Sequence, residues 1–250
     1  MIFFAKILTK SARQLLLLKG EPAFFIPKFK MSQGTANACL IPQKRHDKIA
    51  MHERFVSEAN ACKNCDVLLI GDSIVEALTS SRAFQKYAPK GKTILNFGIG
   101  GDRVEHVLYR IEDGNWLENL KPKLLVLFVG TNNTNSKPED ISEGIENIVT
   151  VVKGKVPDTI IVLPLLHPKG STPNKYREIV CFVNKLLVAK YSTNKDAHIV
   201  DTDWSKFIAE GGTISSELMY DYLHLTDRGY GIGWKPVLDD IDDLLRKHST

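Results

Sequence analysis

Ser73, Asp221 and His224 are the side chains of this sequence best suited to covalent chemistry, and their surroundings say why. Ser73 follows Val67-Leu68-Leu69-Ile70-Gly71-Asp72. An unbroken apolar row reads as a strand buried on both faces, and Ile74-Val75-Glu76-Ala77-Leu78 reads as the first turns of a helix. A serine between the two stands where open α/β sheets bind ligands, beside unpaired backbone N–H groups at the positive end of a helix. There its hydroxyl can attack an acyl carbon while nearby N–H groups hold the oxyanion. The same spacing also suits Ser73 as a plain helix cap. Tyr220-Asp221-Tyr222-Leu223-His224-Leu225-Thr226 favours the chemical reading. Asp and His three apart in a turn bring a carboxylate to one imidazole nitrogen and leave the other to take a proton.

Two further turns point the same way. Asn96-Phe97-Gly98-Ile99-Gly100-Gly101-Asp102 follows a second strand, and glycines there let backbone approach a ligand closely. It lacks the GxGxxG spacing of a dinucleotide loop. Gly130-Thr131-Asn132-Asn133 follows a third strand, where a side-chain amide can donate to an oxyanion; it also reads as an ordinary Asn-rich turn. Asn132-Asn133-Thr134 matches a glycosylation sequon, which an intracellular protein would not use.

These turns need a scaffold, and the chain provides one. Strands are expected at 66–70, 93–96, 123–129, 159–164 and 198–201. Helices are expected at 47–60, 74–86, 103–112, 138–153, 175–191 and 227–247. The βα alternation predicts an α/β fold, a three-layer α/β/α sandwich around a five-stranded parallel sheet with right-handed crossovers. With 250 residues, 43% hydrophobic and 25% charged, the chain suits one globular domain plus a tail. That division puts an N-terminal extension at 1–46 and the domain at 47–250. Residues 1–30 are basic and largely apolar, like a mitochondrial presequence or a weak signal peptide; alternatively Met31 is the working start. Residues 31–46 read as a loose lead-in.

Beyond residue 30 the chain carries 27 Lys and Arg against 28 Asp and Glu, and no basic stripe with interleaved aromatics argues for nucleic acid. No run of 18 apolar residues indicates a membrane-spanning helix. Four cysteines in a chain of this length suit a reducing compartment. Cys62-Lys63-Asn64-Cys65 has redox or half-zinc spacing, but it precedes a strand and no second pair follows, so these read as two ordinary thiols.

Taken together, Leu69 to Ser73, Leu95 to Asp102, Val129 to Asn133 and Tyr220 to Leu225 resemble the blocks of the SGNH (GDSL-like) hydrolase family. The resemblance is closest to the catalytic subunits of intracellular type I platelet-activating factor acetylhydrolase. Shorter echoes, such as Met51-His52-Glu53-Arg54-Phe55-Val56 and Gly144-Ile145-Glu146, extend it over roughly 47–247. It implies a flavodoxin-like fold and a serine esterase without metal or cofactor. In that esterase Ser73 is the nucleophile, His224 the general base and Asp221 its orienter. The N–H groups of Ser73 and Gly101 and the Asn132 amide form the oxyanion hole. Ile74, Thr131 and Leu223 shape an acyl pocket, where bulk favours a short acyl chain. It also implies cytoplasmic location, pairing as a homodimer or with a related catalytic subunit, and a WD-repeat regulatory partner. A genuine presequence at 1–30 would instead direct the protein to mitochondria. The competing functions are an adaptor for that partner and an esterase acting on carbohydrate acetyl groups or lysophospholipids. One departure stands out: the Leu-Pro-Arg-Gly-like turn of the relatives becomes Leu166-His167-Pro168-Lys169-Gly170, which keeps the charge but loses the planar fork.

Overall fold

The structure is a computed structural model, and it describes residues 36–248. Five strands form one parallel sheet: β1 (Val67–Gly71), β2 (Ile94–Gly98), β3 (Leu124–Phe128), β4 (Ile160–Pro164) and β5 (His198–Val200). Their order is β2-β1-β3-β4-β5, the flavodoxin-like arrangement expected. β1 and β3 are buried along their whole length, which is why both read as continuous apolar runs.

Nine helices cover the sheet among the described residues. On one face lie α1 (Ile49–Ala61), α4 (Val104–Glu112), α5 (Trp116–Leu120), α6 (Pro138–Lys155) and α7 (Lys175–Tyr191). Phe55 of α1 stacks on Phe97 of β2 at 4.6 Å, and Phe97 meets Trp116 of α5 at 5.6 Å. On the other face lie α2 (Ser73–Leu78), α3 (Arg82–Tyr87), α8 (Asp227–Gly233) and α9 (Lys235–Lys247). Pro138 opens α6 at its first turn, as its missing N–H and fixed φ favour.

Two expected helices are each broken in two. The 74–86 pattern divides because Ser81 turns the chain: its hydroxyl donates to Leu78 O at 2.7 Å and accepts from Phe84 N at 3.1 Å, capping α3. The 227–247 pattern divides at Trp234, where Pro236 in the next turn cannot donate backward. The five-residue α5 is too short to show a period.

The loose lead-in ends sooner than expected. From Asn37 the chain belongs to the folded unit, rather than from residue 47. Asn37 donates to Asp140 O at 3.0 Å and to Glu143 Oε2 at 2.9 Å, and Cys39 is buried in the core. The presequence-like stretch 1–30 lies outside the described residues.

Candidate active site

The strand order reverses between β2 and β3, on either side of β1, and Ser73 stands at the carboxyl end of β1. A crevice opens at such a point in any sheet of this topology. The backbone there is crowded. A Cβ on Gly71 would lie 2.1 Å from Phe128 O, and one on Gly98 would lie 2.2 Å from Glu76 N. Glycine at both positions lets α2 and the β3 exit close over the strand ends. Asp72 caps α2 by accepting Ile74 N at 3.0 Å. Ser73 is then the first helical residue and half-buried at the rim.

The Ser73 hydroxyl lies 2.9 Å from His224 Nε2. On the other side of the ring, Nδ1 lies 2.6 Å from Asp221 Oδ2. The carboxylate can only accept when ionised, so the Nδ1–H tautomer donates to it and Nε2 faces the serine. Asp221 Oδ1 also accepts the backbone N–H groups of His224 at 2.7 Å and Leu223 at 3.1 Å. Burial tends to raise the Asp221 pKa, but the bonds from the His224 ring and backbone outweigh it, and the carboxyl stays below its usual range. The three expected residues, 151 positions apart at the widest, thus form one hydrogen-bonded chain. Tyr220 covers the outer face of the imidazole, stacked at 5.8 Å with planes 17° apart.

The expected oxyanion donors lie on the turns that follow β1, β2 and β3. A Cβ on Gly100 would sit 3.8 Å from Ser73 Cβ, so the Gly100-Gly101 turn borders Ser73. Gly101 has φ +79°, which a side chain would strain. The Asn132 amide donates to Asp102 O at 2.9 Å. A primary amide carries two N–H bonds, so this anchor leaves one for a ligand. The acyl-pocket candidates take up different positions. Ile74 is buried in the core, and its carbonyl accepts the Tyr230 hydroxyl at 2.7 Å. Thr131 is buried at the β3 exit, and Leu223 is half-buried in the His224 turn.

Several site residues escaped the sequence reading. Asp72, a plain polar residue before the serine in the sequence, is fully buried; burial, with Asp102 nearby, pushes its carboxyl up to about 7. Asp102, which ends the glycine turn in the sequence, is the hub of an ion network with Arg45 at 3.1 Å and Arg110 at 2.8 Å. Lys169, the departure noted above, donates to Thr131 O at 2.7 Å. Burial lowers its pKa while the Asp72 charge works against that shift.

Other candidate chemistry is quieter. Cys62 and Cys65 are free thiols, and burial pushes Cys65 up to about 12. Among the described residues no group of three or more His, Cys, Asp or Glu could hold a metal ion. No described helix is long and apolar enough to cross a membrane.

A family model of GDSL-like lipases and acylhydrolases matches residues 69–232, from β1 through α8. The chain belongs to this family. This GDSL-like acylhydrolase is 38% identical over 224 residues to platelet-activating factor acetylhydrolase IB subunit alpha2 of Homo sapiens, covering 87% of this chain and 96% of that one. It is 40% identical over 203 residues to the alpha1 subunit of Bos taurus, covering 81% and 84% of the two chains. A GDSL-like lipase from Bacteroides thetaiotaomicron superposes with a TM-score of 0.62 at 19% identity, covering 80% of this chain and 98% of its own. At that identity the superposition speaks for the fold alone. The relatives and the family place this GDSL-like acylhydrolase among carboxylic ester hydrolases.

Proposed function

We propose that the protein is a serine esterase that removes a short acyl group, acetyl above all, from a phospholipid-like ester. The observation that carries this is the Ser73–His224–Asp221 chain at 2.9 and 2.6 Å, at the switch point of the sheet. His224 takes the Ser73 proton as the hydroxyl oxygen attacks the ester carbonyl, and the tetrahedral anion forms. The N–H groups of Ser73 and Gly101 and the Asn132 amide stabilise that anion. Collapse expels the alcohol, which receives the proton from His224. Water, deprotonated by the same imidazole, then cleaves the acyl-enzyme and restores Ser73. Ile74, Thr131 and Leu223 are assigned to the acyl side by the resemblance, and the burial of Ile74 and Thr131 leaves room there for a short acyl chain over a long one.

The choice of acetyl and of a phospholipid-like leaving group is supported by the names of the relatives. The same names, each a subunit, support assembly with other subunits. The proposed assembly, which rests on the sequence resemblance, is a dimer of identical or related catalytic chains with a WD-repeat regulatory partner. The four free thiols suit a cytoplasmic location.

The test has two parts. A fluorophosphonate probe should label Ser73 and leave Ser73→Ala unlabelled, while Ser73→Ala keeps its fold and loses nearly all hydrolysis. A panel of acetyl, butyryl and long-chain esters on glycerophospholipid and sugar scaffolds should then favour acetyl glycerophospholipid. Hydrolysis retained by Ser73→Ala refutes the mechanism, and preference for sugar acetates or long acyl chains refutes the substrate.

A further inference from the structure

Arg45 precedes the stretch that the family model matches, which begins at residue 69. It comes from a segment with no catalytic signal, yet its guanidinium is built into the turn at Ile99–Asp102. Nη1 donates to Gly100 O at 2.8 Å and to Asp102 Oδ1 at 3.1 Å. Nε and Nη2 are held from behind by the Asp47 carboxylate at 3.3 and 2.7 Å. Gly101, between the two acceptor residues, lies with its would-be Cβ 3.4 Å from Nη1.

The turn closes on itself through Asp102 N to Ile99 O at 3.1 Å. Asp102 O in turn receives the Asn132 amide at 2.9 Å. The Gly101 N–H and the Asn132 amide are therefore both tied to Asp102, one through the chain and one through a hydrogen bond. Asp102 is itself 1% exposed, so its charge requires the two guanidinium partners it has. Arg110 approaches from α4 and also donates to Phe97 O at 2.9 Å. Arg45 is the partner that reaches the Gly100 carbonyl as well. A planar fork can span a carbonyl and a carboxylate together, which a lysine ammonium does less well.

We infer that Arg45 is a positioning residue for the oxyanion site, holding the Gly100–Asp102 turn so that Gly101 N–H and the Asn132 amide converge on one point beside Ser73. It touches no reacting atom. The inference rests on the serine-esterase reading above.

Arg45→Ala, Arg45→Lys, Asn132→Ala and the double variant Arg45→Ala/Asn132→Ala test it, with the parent chain and Ser73→Ala measured beside them. In Arg45→Ala, kcat for an acetyl ester should fall roughly 10- to 100-fold, part of what loss of an oxyanion donor costs, while KM stays within about two-fold. Arg45→Lys should recover part of the loss, and added methylguanidinium should restore part of kcat to Arg45→Ala and none to Asn132→Ala. The double variant should lose less than the product of the single losses, because both act on one feature. Independently of activity, hydrogen exchange at the Asp102 amide should quicken in Arg45→Ala.

Hydrolysis that depends on Ser73 but keeps kcat within two-fold in Arg45→Ala overturns the clamp and leaves the esterase reading intact. So do fully multiplicative losses with no rescue by methylguanidinium. Unchanged exchange at Asp102 overturns the clamp whatever the activity shows. Hydrolysis that survives Ser73→Ala overturns the esterase reading itself, and with it the role assigned to Arg45.

Discussion

The turn that carries Ser73 and the turn that carries His224 meet across a 2.9 Å hydrogen bond, yet they are held in different ways. The serine turn is fixed by the whole fold. Gly71 and Gly98 press against neighbouring backbone, Asp72 is fully buried, and Asp102 is locked by two arginines. The histidine turn is exposed and largely holds itself. The side chains of His224 and Asp221 are 30% and 44% exposed, and Asp221 accepts two backbone N–H groups of its own turn. Tyr222 adopts a left-handed φ of +62° there, uncommon for a residue with a side chain. The difference teaches that Ser73 and the Gly100–Asp102 turn are positioned by packing, whereas His224 is positioned by local hydrogen bonds. Substitutions on the first side should damage fold and chemistry together; on the second they should damage chemistry alone.

The largest effect is expected from Asp221→Asn, which keeps the shape but presents the wrong donor to Nδ1. Ester hydrolysis should drop by on the order of 10⁴. Calorimetry should find the melting temperature nearly unchanged; a large fall would break the contrast. Asn132→Ala should lower kcat by about 10²–10³, read from steady-state kinetics, with little change in KM.

Asp72→Asn probes the packed side through pH. The folded carboxyl titrates near 7 and the unfolded one near the ordinary value of about 3.9. Between these the native state holds a proton that the unfolded chain releases, so this group makes stability fall as pH rises from about 4 to 7. Asparagine keeps the cap and removes that decline, worth up to about 1.4 kcal/mol per pH unit, as melting against pH should show. Gly71→Ala should cost about 1–3 kcal/mol in denaturant unfolding, because a Cβ 2.1 Å from Phe128 O forces backbone to move. Tyr220→Ala should be mildest. Loss of a stack on an exposed ring is worth at most about 1.5 kcal/mol, a tenfold fall in kcat or less, without loss of stability. Should Tyr220→Ala unfold the protein, the histidine turn is not self-supporting.

Much of this was legible because it is local. Apolar runs at 67–70 and 124–128 are what a doubly covered parallel strand requires, and each block of turn residues follows a strand directly. Asp221 and His224 lie three apart, so their pairing is readable without a fold. What stayed hidden is non-local. Arg45 and Asp102 are 57 positions apart, and nothing in either segment announces the other. Ser81 breaks a helix through its own hydroxyl, which a hydrophobic period does not register. Asp72 reads as a polar turn residue, and only the packing of β1 against β2 and β3 reveals that it is dry.

Besides its own main-chain bonds, the histidine turn is tied by main chain to a distant segment. Gly170 N donates to Tyr222 O at 2.8 Å, stitching the segment after β4 to the segment before α8 by main chain alone. Side chains beside the seam, Lys169 included, can therefore change without loosening it, provided the positive φ of Gly170 and Tyr222 is kept. Variation in substrate or partner choice can accumulate around His224 while its reach toward the hydroxyl stays constant.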